Sequence, residues 1–333
     1  MNIFIKKTIT IVSILFIVLT LFVLPVYAND TPISVIETHS ILTKSSDGAI
    51  TQKSFSNANT NSLYSMRRER SIPEYIPNVN AGISTISTSN VSRSSDSRVG
   101  YLQIGYDTNN DGILDVTDAH GSASLQSYDI VITAGHCLWN PVYAEHQSEG
   151  WNSKIIFYAG RTSGNSFKTA VSYASASIGT DFVNNSYVTY VDGIATPVYD
   201  TNHDWGIIKL ESNIGGTYGW FGLHGCGTTE NGLSIYAYGY PSIVPGYSET
   251  YVKYKQWKSI GVFEDIENNV IYHTAYTYNG SSGGPIVADG CVYAIVTHIV
   301  NGGDYEYGAT RMTDWLFELI VAECEASAER WES

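Results

Sequence analysis

The sequence predicts an all-β fold of two barrels, closed by a C-terminal helix. From Arg98 onward, short runs of β-branched and aromatic residues recur between clusters of Gly, Asn, Asp and Ser. This pattern is typical of strands joined by turns. Tyr, which is enriched on pleated and half-buried surfaces, occurs 25 times. Roughly 230 residues with this pattern are too many for one small barrel and suit two.

The first 28 residues have the three parts of a secretory signal peptide. Two lysines precede an apolar run, Thr8–Leu24, and small residues up to Ala28 form a cleavage site. A retained membrane anchor is the alternative, but the break at Pro25 and the small residue at Ala28 favour removal. We therefore expect a secreted, extracellular protein that has no membrane contact once residues 1–28 are removed.

Residues 29–98 differ in composition from the rest of the chain. They are rich in Ser, Thr and Asn and show neither strand alternation nor helical periodicity, so we expect no self-supporting fold there. The basic cluster at 66–70 is a candidate cleavage point. We interpret residues 29–70 as a propeptide and 71–98 as a mature N-terminal arm. An uncleaved, disordered arm is the alternative.

The elements of the body follow in order. Alternating or apolar runs predict strands at Val99–Tyr106, Tyr128–Thr133, Lys154–Ala159, Trp205–Leu210, Leu233–Tyr240, Glu249–Ile260, Val270–Tyr276, Val292–Ile299 and Gly308–Met312. The tail from Thr313 to about Ala328 predicts a helix that Thr313 or Asp314 caps, because apolar residues recur there at helical spacing.

Charge and cysteine content restrict the partners. Residues 71–333 contain 11 Lys and Arg against 28 Asp and Glu, a net charge of −17. Such a surface repels nucleic acid and anionic membranes, so we expect neither as a partner. Four cysteines in an exported chain could form two disulfides by three pairings, namely among Cys137, Cys226, Cys291 and Cys324.

Three segments carry candidate catalytic groups: VITAGHC at His136, DWGIIKL at Asp204 and NGSSGGP at Ser282. A serine hydroxyl is a weak nucleophile near neutral pH, so it needs an imidazole to take its proton and an acid to orient that imidazole. The order His, Asp, Ser is that of chymotrypsin-like proteases, whereas α/β-hydrolases order the groups differently and need a different motif. An ordinary Ser/Gly turn is the alternative for Ser282 alone. The backbone N–H groups of Gly280 and Ser282 would form an oxyanion hole.

These motifs resemble the chymotrypsin-like serine proteases, and Val99–Ile320 is similar to the secreted bacterial glutamyl endopeptidases. The resemblance implies two antiparallel six-stranded barrels with the active site in their cleft. Residues 99–212 would form the first barrel, with the His and the Asp. Residues 213–333 would form the second, with the Ser, the specificity pocket and the C-terminal helix. The activity implied is a monomeric serine endopeptidase that acts on peptide or protein substrates, is made as a zymogen and requires no cofactor for its chemistry.

The resemblance also suggests the substrate. A histidine on the pocket strand and a threonine five residues before the nucleophile bind the substrate carboxylate in that family, and His298 and Thr277 occupy these positions. Cleavage after Glu is therefore expected, with Asp left open. Tyr276 stands where a trypsin-like enzyme needs an acid, so Lys and Arg are disfavoured. A core histidine at His298, another specificity, or a non-catalytic homologue on the same fold are the alternatives.

The chain departs from the family in three places. The loops between the His and the Asp are longer, the nucleophile is followed by Gly-Gly-Pro, and Gly121 stands near the position of the usual partner cysteine. Cys137 therefore has no assigned partner.

Residues 107–118, DTNNDGILDVTD, match the ligand spacing of an EF-hand calcium loop. The side chains of Asp107, Asn109, Asp111 and Asp118, the carbonyl of Ile113 and a water on Asp115 would bind Ca²⁺. The flanks resemble strands rather than helices, and a hairpin with an Asn-Asp-Gly turn is the alternative. A structural Ca²⁺ is the expected ligand.

Overall fold

The computed structural model describes residues 38–56, 87–88, 90–107, 109, 111, 113–145, 149–227, 230–300 and 307–333. The predicted signal peptide and the basic cluster at 66–70 lie outside these ranges. Within them, no helix is both long and apolar enough to cross a membrane.

The chain up to the aspartate segment forms twelve strands within the described residues. In order they are Thr38–Ser45 (β1), Ile50–Ser56 (β2), Ser87–Thr88 (β3), Val91–Arg93 (β4), Val99–Tyr106 (β5), Val116–Leu125 (β6), Ile130–Thr133 (β7), Lys154–Ala159 (β8), Thr169–Gly179 (β9), Tyr187–Val191 (β10), Ile194–Val198 (β11) and Gly206–Leu210 (β12). Two 3₁₀ turns, Gly135–Cys137 and Pro141–Tyr143, and one helix, Thr180–Asn185 (α1), interrupt them.

The first barrel closes with six antiparallel strands in the order β5, β6, β7, β12, β9 and β8, because β8 also pairs with β5. Leu102, Ile132 and Phe157 are fully buried inside it. Gly100 lies against the Phe157 ring, where a Cβ atom would overlap the ring carbons. Tight packing of large side chains, with a glycine where a ring needs the space, is therefore what holds this barrel closed.

The second half has a matching barrel. Its elements are Gly215–Tyr218 (α2), Gly222–Leu223 (β13), Ser234–Gly239 (β14), Glu249–Val252 (α3), Trp257–Glu267 (β15), Val270–His273 (β16), Pro285–Ala288 (β17), Cys291–Ile299 (β18), Tyr307–Arg311 (β19) and Asp314–Glu332 (α4). The strands β14, β17, β18, β19, β16 and β15 follow one another, and β15 pairs with β14 to close the ring. The prediction of two six-stranded antiparallel barrels is confirmed.

The predicted strand at Glu249–Ile260 is wrong in its first half. Ser248 accepts a hydrogen bond from the Tyr251 N–H at 3.3 Å and caps a single turn of helix, α3. Tyr254 then takes a left-handed backbone conformation with φ of 63°, and the strand begins at Trp257. The serine cap, which competes with a strand for the local backbone, explains the difference.

The C-terminal helix α4 fastens the end of the chain to the first barrel. Its cap is the Thr313 hydroxyl, which accepts from the Leu316 N–H at 3.3 Å. Near its other end, Ser327 and Arg330 bind the buried carboxylate of Asp129 at 2.5 and 2.9 Å. Asp129 directly precedes β7, so this contact anchors the strand that leads to His136.

Part of the predicted propeptide is folded. The strands β1 and β2 form a hairpin, and β1 adds to the sheet by pairing with Ser175–Gly179 at the end of β9. The hydroxyls of Thr43 and Ser177 lie 2.8 Å apart across this pair. We expected no self-supporting fold in this segment. The hairpin is instead supported by the edge of the first barrel, with which β1 pairs.

Candidate active site

The register of two strands brings the predicted base and its orienting acid together. β7 and β12 are antiparallel, with Thr133 opposite Gly206. His136 follows Thr133 by three residues and Asp204 precedes Gly206 by two, so the two residues meet just beyond the ends of these strands. The His136 Nδ1 lies 2.6 Å from the Asp204 Oδ2. The His136 backbone N–H also donates to the Asp204 Oδ1 at 2.8 Å. Both oxygens of the Asp204 carboxylate therefore bind His136, one its backbone and the other its ring.

The surroundings of this pair bury the carboxylate and hold the imidazole in place. Asp204 is only 2% exposed, and the Thr310 hydroxyl donates to its backbone carbonyl at 3.0 Å. The Tyr199 ring lies 5.2 Å from the His136 ring and covers one side of it. Burial disfavours the imidazolium, but the Asp204 carboxylate outweighs burial and holds the pKa of His136 well above its ordinary value.

The backbone of Ser282 is anchored beside the same turn. Its carbonyl accepts from the Ser122 N–H at 2.7 Å and lies 3.6 Å from the Cys137 Sγ. Within the described residues, no hydrogen bond joins the Ser282 hydroxyl to His136. Such contacts commonly tighten only when substrate binds. The backbone of Ser282 therefore lies beside Cys137, the residue that follows His136.

The turn before the serine leaves two N–H donors unused. Ser281, Gly283 and Gly284 donate to the carbonyls of Tyr278, Val296 and Ser281 at 2.7, 2.7 and 2.8 Å. The N–H groups of Gly280 and Ser282 have no acceptor in the described part of the chain. Gly280 has φ of 93°, and a Cβ atom there would overlap the His120 ring and the Tyr240 carbonyl. Both the backbone conformation and the space therefore require glycine.

His298 lies on β18, two residues beyond Val296, whose carbonyl bonds to the nucleophile turn. Its ring lies over Gly308, where a Cβ atom would overlap it, and its Nδ1 is 2.9 Å from the Thr297 hydroxyl. Burial is the main cause that lowers its pKa, although Asp204 acts in the opposite direction. His298 is therefore a neutral, partly exposed imidazole near the catalytic pair.

Thr277 is 2% exposed, and its hydroxyl has no hydrogen-bond partner in the described residues. It lines a small cavity behind the nucleophile turn together with Ser281 and Trp257, whose indole N–H is also unpaired. Tyr276 donates its hydroxyl to the Ile243 carbonyl at 3.0 Å. No acid occupies that position to bind a basic side chain.

Two further histidines matter to this region although no motif surrounds them. His120 stacks on Tyr101 at 5.0 Å and lies 3.1 Å from the Tyr240 carbonyl, against Gly280. His273 is fully buried with neither ring nitrogen paired in the described residues, and burial lowers its pKa to about 3. Without a motif, the sequence indicates only surface or core histidines at these two positions, because the residues that contact them are distant in the chain. His203 instead pairs with Asp200 at 2.6 Å, as a bystander.

The candidate calcium loop is only partly described. The Asp111 N–H donates to the side chains of Asp107 and Asn109 at 3.2 and 3.0 Å, and the Ile113 N–H donates to Asp111 at 2.8 Å. The side chain of Asp118 lies outside the described residues. Within the described ranges, no three His, Cys, Asp or Glu side chains are grouped to hold a metal. Calcium binding by this loop stays a prediction.

The expected disulfides are absent. No disulfide joins any of Cys137, Cys226, Cys291 and Cys324, which lie in separate parts of the fold. Cys137 packs beside Gly121, where a Cβ atom would lie only 2.6 Å from its sulfur. A glycine at the usual partner position therefore makes room for an unpaired thiol.

Comparisons with known proteins agree with this geometry. Residues 120–295 match the family model described as a trypsin-like peptidase domain. The chain is 32% identical over 199 residues to the extracellular metalloprotease of Bacillus subtilis, which covers 59% of this chain and 55% of that protein. It is 25% identical over 202 residues to the glutamyl endopeptidase of Bacillus licheniformis, covering 57% of this chain and 55% of the relative. The chain thus spans about half the length of the curated relatives it matches.

Two solved structures share the fold. A Glu endopeptidase in complex with MPD superposes with a TM-score of 0.56 at 18% identity, covering 73% of this chain and 100% of the other. The protease Anisep from Arthrobacter nicotinovorans superposes with a TM-score of 0.52 at 15% identity, covering 71% and 99%. The family model spans more than half of the sequence and includes all three candidate catalytic residues. The chain belongs to the trypsin-like peptidase family.

Proposed function

We propose that this protein is a secreted serine endopeptidase that cleaves peptide bonds after Glu, with Asp left open as a second accepted residue. The observation that carries the proposal is the His136–Asp204 pair, held by two short contacts, beside the anchored backbone of Ser282. A protein that only binds would have no need of a buried carboxylate that fixes an imidazole.

The chemistry follows from the positions of the groups. The Ser282 Oγ attacks the scissile carbonyl while the His136 Nε2 takes its proton, and an acyl-enzyme forms as His136 returns the proton to the leaving amine. Water then attacks the acyl-enzyme by the same route. The N–H groups of Gly280 and Ser282 stabilise the oxyanion, and losing one such donor typically costs about 3 kcal/mol.

Specificity for Glu rests on His298. Its partly exposed imidazole meets the side chain of the residue before the cleaved bond. Burial lowers the pKa of His298 in the free protein, and a substrate carboxylate beside the ring would raise that pKa. Thr277 is covered in the free protein, so its hydroxyl acts only after the pocket opens. Together they bind a carboxylate without an arginine.

A peptide panel that varies only the residue before the cleaved bond tests this proposal. We expect the highest kcat/KM after Glu, a loss of about 100-fold on Glu peptides in His298→Gln, and a smaller loss in Thr277→Val. The exposed His224, changed to Gln, is the matched control and should leave kcat/KM unchanged. Ser282→Ala should be inactive.

Two results would overturn parts of the proposal. Best turnover after Arg or Phe would refute the Glu preference and leave a chymotrypsin-like protease of another specificity. No turnover of any peptide, with no labelling of Ser282 by a fluorophosphonate in processed protein, would favour a non-catalytic homologue. N-terminal sequencing of the secreted protein tests the proposed signal and propeptide cleavages in the same preparation.

A further inference from the structure

The hairpin of β10 and β11, Tyr187–Val198, forms a two-stranded sheet of its own. Its register is regular, from Tyr187 opposite Val198 to Val191 opposite Ile194. The turn residues Asp192 and Gly193 have φ of 52° and 80°, the left-handed conformations that match the twist of a tight hairpin. In the described part of the chain, neither outer edge of this sheet pairs with another strand.

The hairpin carries an unusual amount of exposed apolar surface. Tyr187, Tyr190, Val191 and Ile194 are 59%, 73%, 54% and 69% exposed. Asp192 is the one charged residue among the twelve, in a chain whose net charge is −14. Large apolar side chains grouped on an element that buries none of them indicate an interaction surface.

The position of the hairpin connects it to the catalytic cleft. Its last residue is followed directly by Tyr199, whose ring covers His136 at 5.2 Å. Its base packs on the 3₁₀ turn Pro141–Tyr143, which lies just beyond His136 in the chain. β11 is five residues long and reaches about 16 Å from Tyr199. That reach matches about five residues of an extended polypeptide.

We propose that this hairpin is an exosite for polypeptide substrates, and the inference rests on the proposed peptidase function. Val191 and Ile194 at the tip would contact apolar residues several positions away from the cleaved bond. The unpaired edges of the hairpin can accept main-chain hydrogen bonds from an extended chain, as in strand addition.

Continuity with the catalytic residues and the presence of a single charge, Asp192, favour a polypeptide substrate as the occupant. An acidic substrate is repelled at long range by a chain of net charge −14. Apart from Asp192 in its turn, the hairpin carries no charge. It follows directly on the segment that contacts His136, so apolar contact can offset that repulsion there.

Paired substitutions test the inference. Val191→Thr with Ile194→Thr keeps β-branched residues in the ladder and removes the apolar surface. The matched control is Ile260→Thr with Val262→Thr on β15, whose side chains are 47% and 36% exposed. Three substrates are used. One is an ester of a single acylated amino acid, namely the ester with the highest kcat/KM in a panel that varies this amino acid. The other two are long peptides. Both peptides carry one cleavage site, flanked beyond the third residue by Leu and Val in one and by Ser in the other.

We expect wild type to prefer the apolar-flanked peptide by about tenfold in kcat/KM, mainly through KM. The hairpin variant should lose that preference, while the control variant keeps it and all three proteins hydrolyse the ester equally.

Three results would overturn the exosite. The hairpin variant could lose as much kcat/KM on the ester as on the apolar-flanked peptide, or it could keep the wild-type preference for that peptide. The wild type could also be a dimer that only this variant dissociates. A best ester other than Glu refutes only the Glu preference. If the wild-type protein hydrolyses no ester and no peptide, both proposals are overturned.

Discussion

At the scale of single residues, Asp204 does two things at once. One oxygen accepts from the His136 backbone and the other from its ring, at 2.8 and 2.6 Å, so the acid fixes both the turn and the imidazole. Burial at 2% exposure keeps water from competing for these contacts. Burial lowers the pKa of His136, but the contacts with this carboxylate contribute to a pKa well above the ordinary value.

The raised pKa of His136 has a direct kinetic consequence. Only the neutral imidazole can act as base, so kcat/KM should rise as pH increases through the raised pKa, above the ordinary histidine value of about 6.5. Asp204→Asn should move this limb to lower pH and reduce kcat by about 10⁴. A pH–rate profile measures both effects.

The neighbouring carboxylate provides the control for that profile. Asp200 pairs with His203 at 2.6 Å outside the catalytic pair, so Asp200→Asn should keep the wild-type limb. If the rise of kcat/KM with pH occurred at the same pH in Asp204→Asn as in wild type, Asp204 would not be the group that raises the pKa of His136.

Candidate catalytic residues could be identified from the sequence because the motif around each of them is local. His136, Asp204 and Ser282 each stand in a run that sets the strand end and the turn. His120 could not be predicted, since its contacts with Gly280 and Tyr240 join residues more than a hundred positions apart.

At the scale of elements, strands rich in small residues escaped prediction. β6 and β9 contain many Ser, Ala and Gly residues, which have little intrinsic preference for strands. Pairing on both sides specifies them instead, and that information lies in β5, β7, β8 and β12. Strands of Val, Ile and Tyr, such as β5 and β8, were predicted with their correct bounds.

Docking of the N-terminal hairpin can be tested in the full-length chain. Thr43 lies in the middle of β1, between β2 and β9, where a proline removes a ladder hydrogen bond. We expect Thr43→Pro to weaken docking by about 1 kcal/mol or more, the net worth of one ladder hydrogen bond, and to raise hydrogen exchange at Ser175–Gly179.

Thr43→Val is the matched variant, because it keeps the ladder and loses only the hydroxyl contact with Ser177. It should show nearly wild-type exchange. Equal exchange in wild type and Thr43→Pro would mean that β1 does not protect this edge in solution.

At the scale of the whole molecule, long-range contacts fix what local patterns leave open. Two barrels and a closing helix could be predicted from composition and length, and the strand count came from a family resemblance. The clamp of Arg330 and Ser327 on Asp129 could not, because it joins residues about two hundred positions apart. The disulfides were wrong for a related reason: cysteine spacing does not report which elements meet.

Net charge makes a prediction that belongs to no single residue. A chain of net charge −14 repels acidic peptides, and raising salt from about 0.01 M to about 0.15 M shortens the Debye length from about 30 to about 8 Å. We expect kcat/KM for an acidic Glu peptide to rise a few-fold over this range.

A peptide with the same cleavage site and flanking lysines is the control. Its kcat/KM should fall over the same range, because screening then removes attraction. The same salt dependence for both peptides would show that charge does not steer substrate to this enzyme.

The pairing of β1 with the end of β9 has a consequence for the life of the mature protein. If the chain is cleaved at the basic cluster, as we propose, the covalent link between the hairpin and the barrels is cut. If the hairpin then dissociates, Ser175–Gly179 becomes a bare sheet edge that can template strands from other molecules. Maturation would thus expose an aggregation-prone sheet edge. The time for which the processed enzyme stays monomeric would depend on how slowly the cleaved hairpin dissociates.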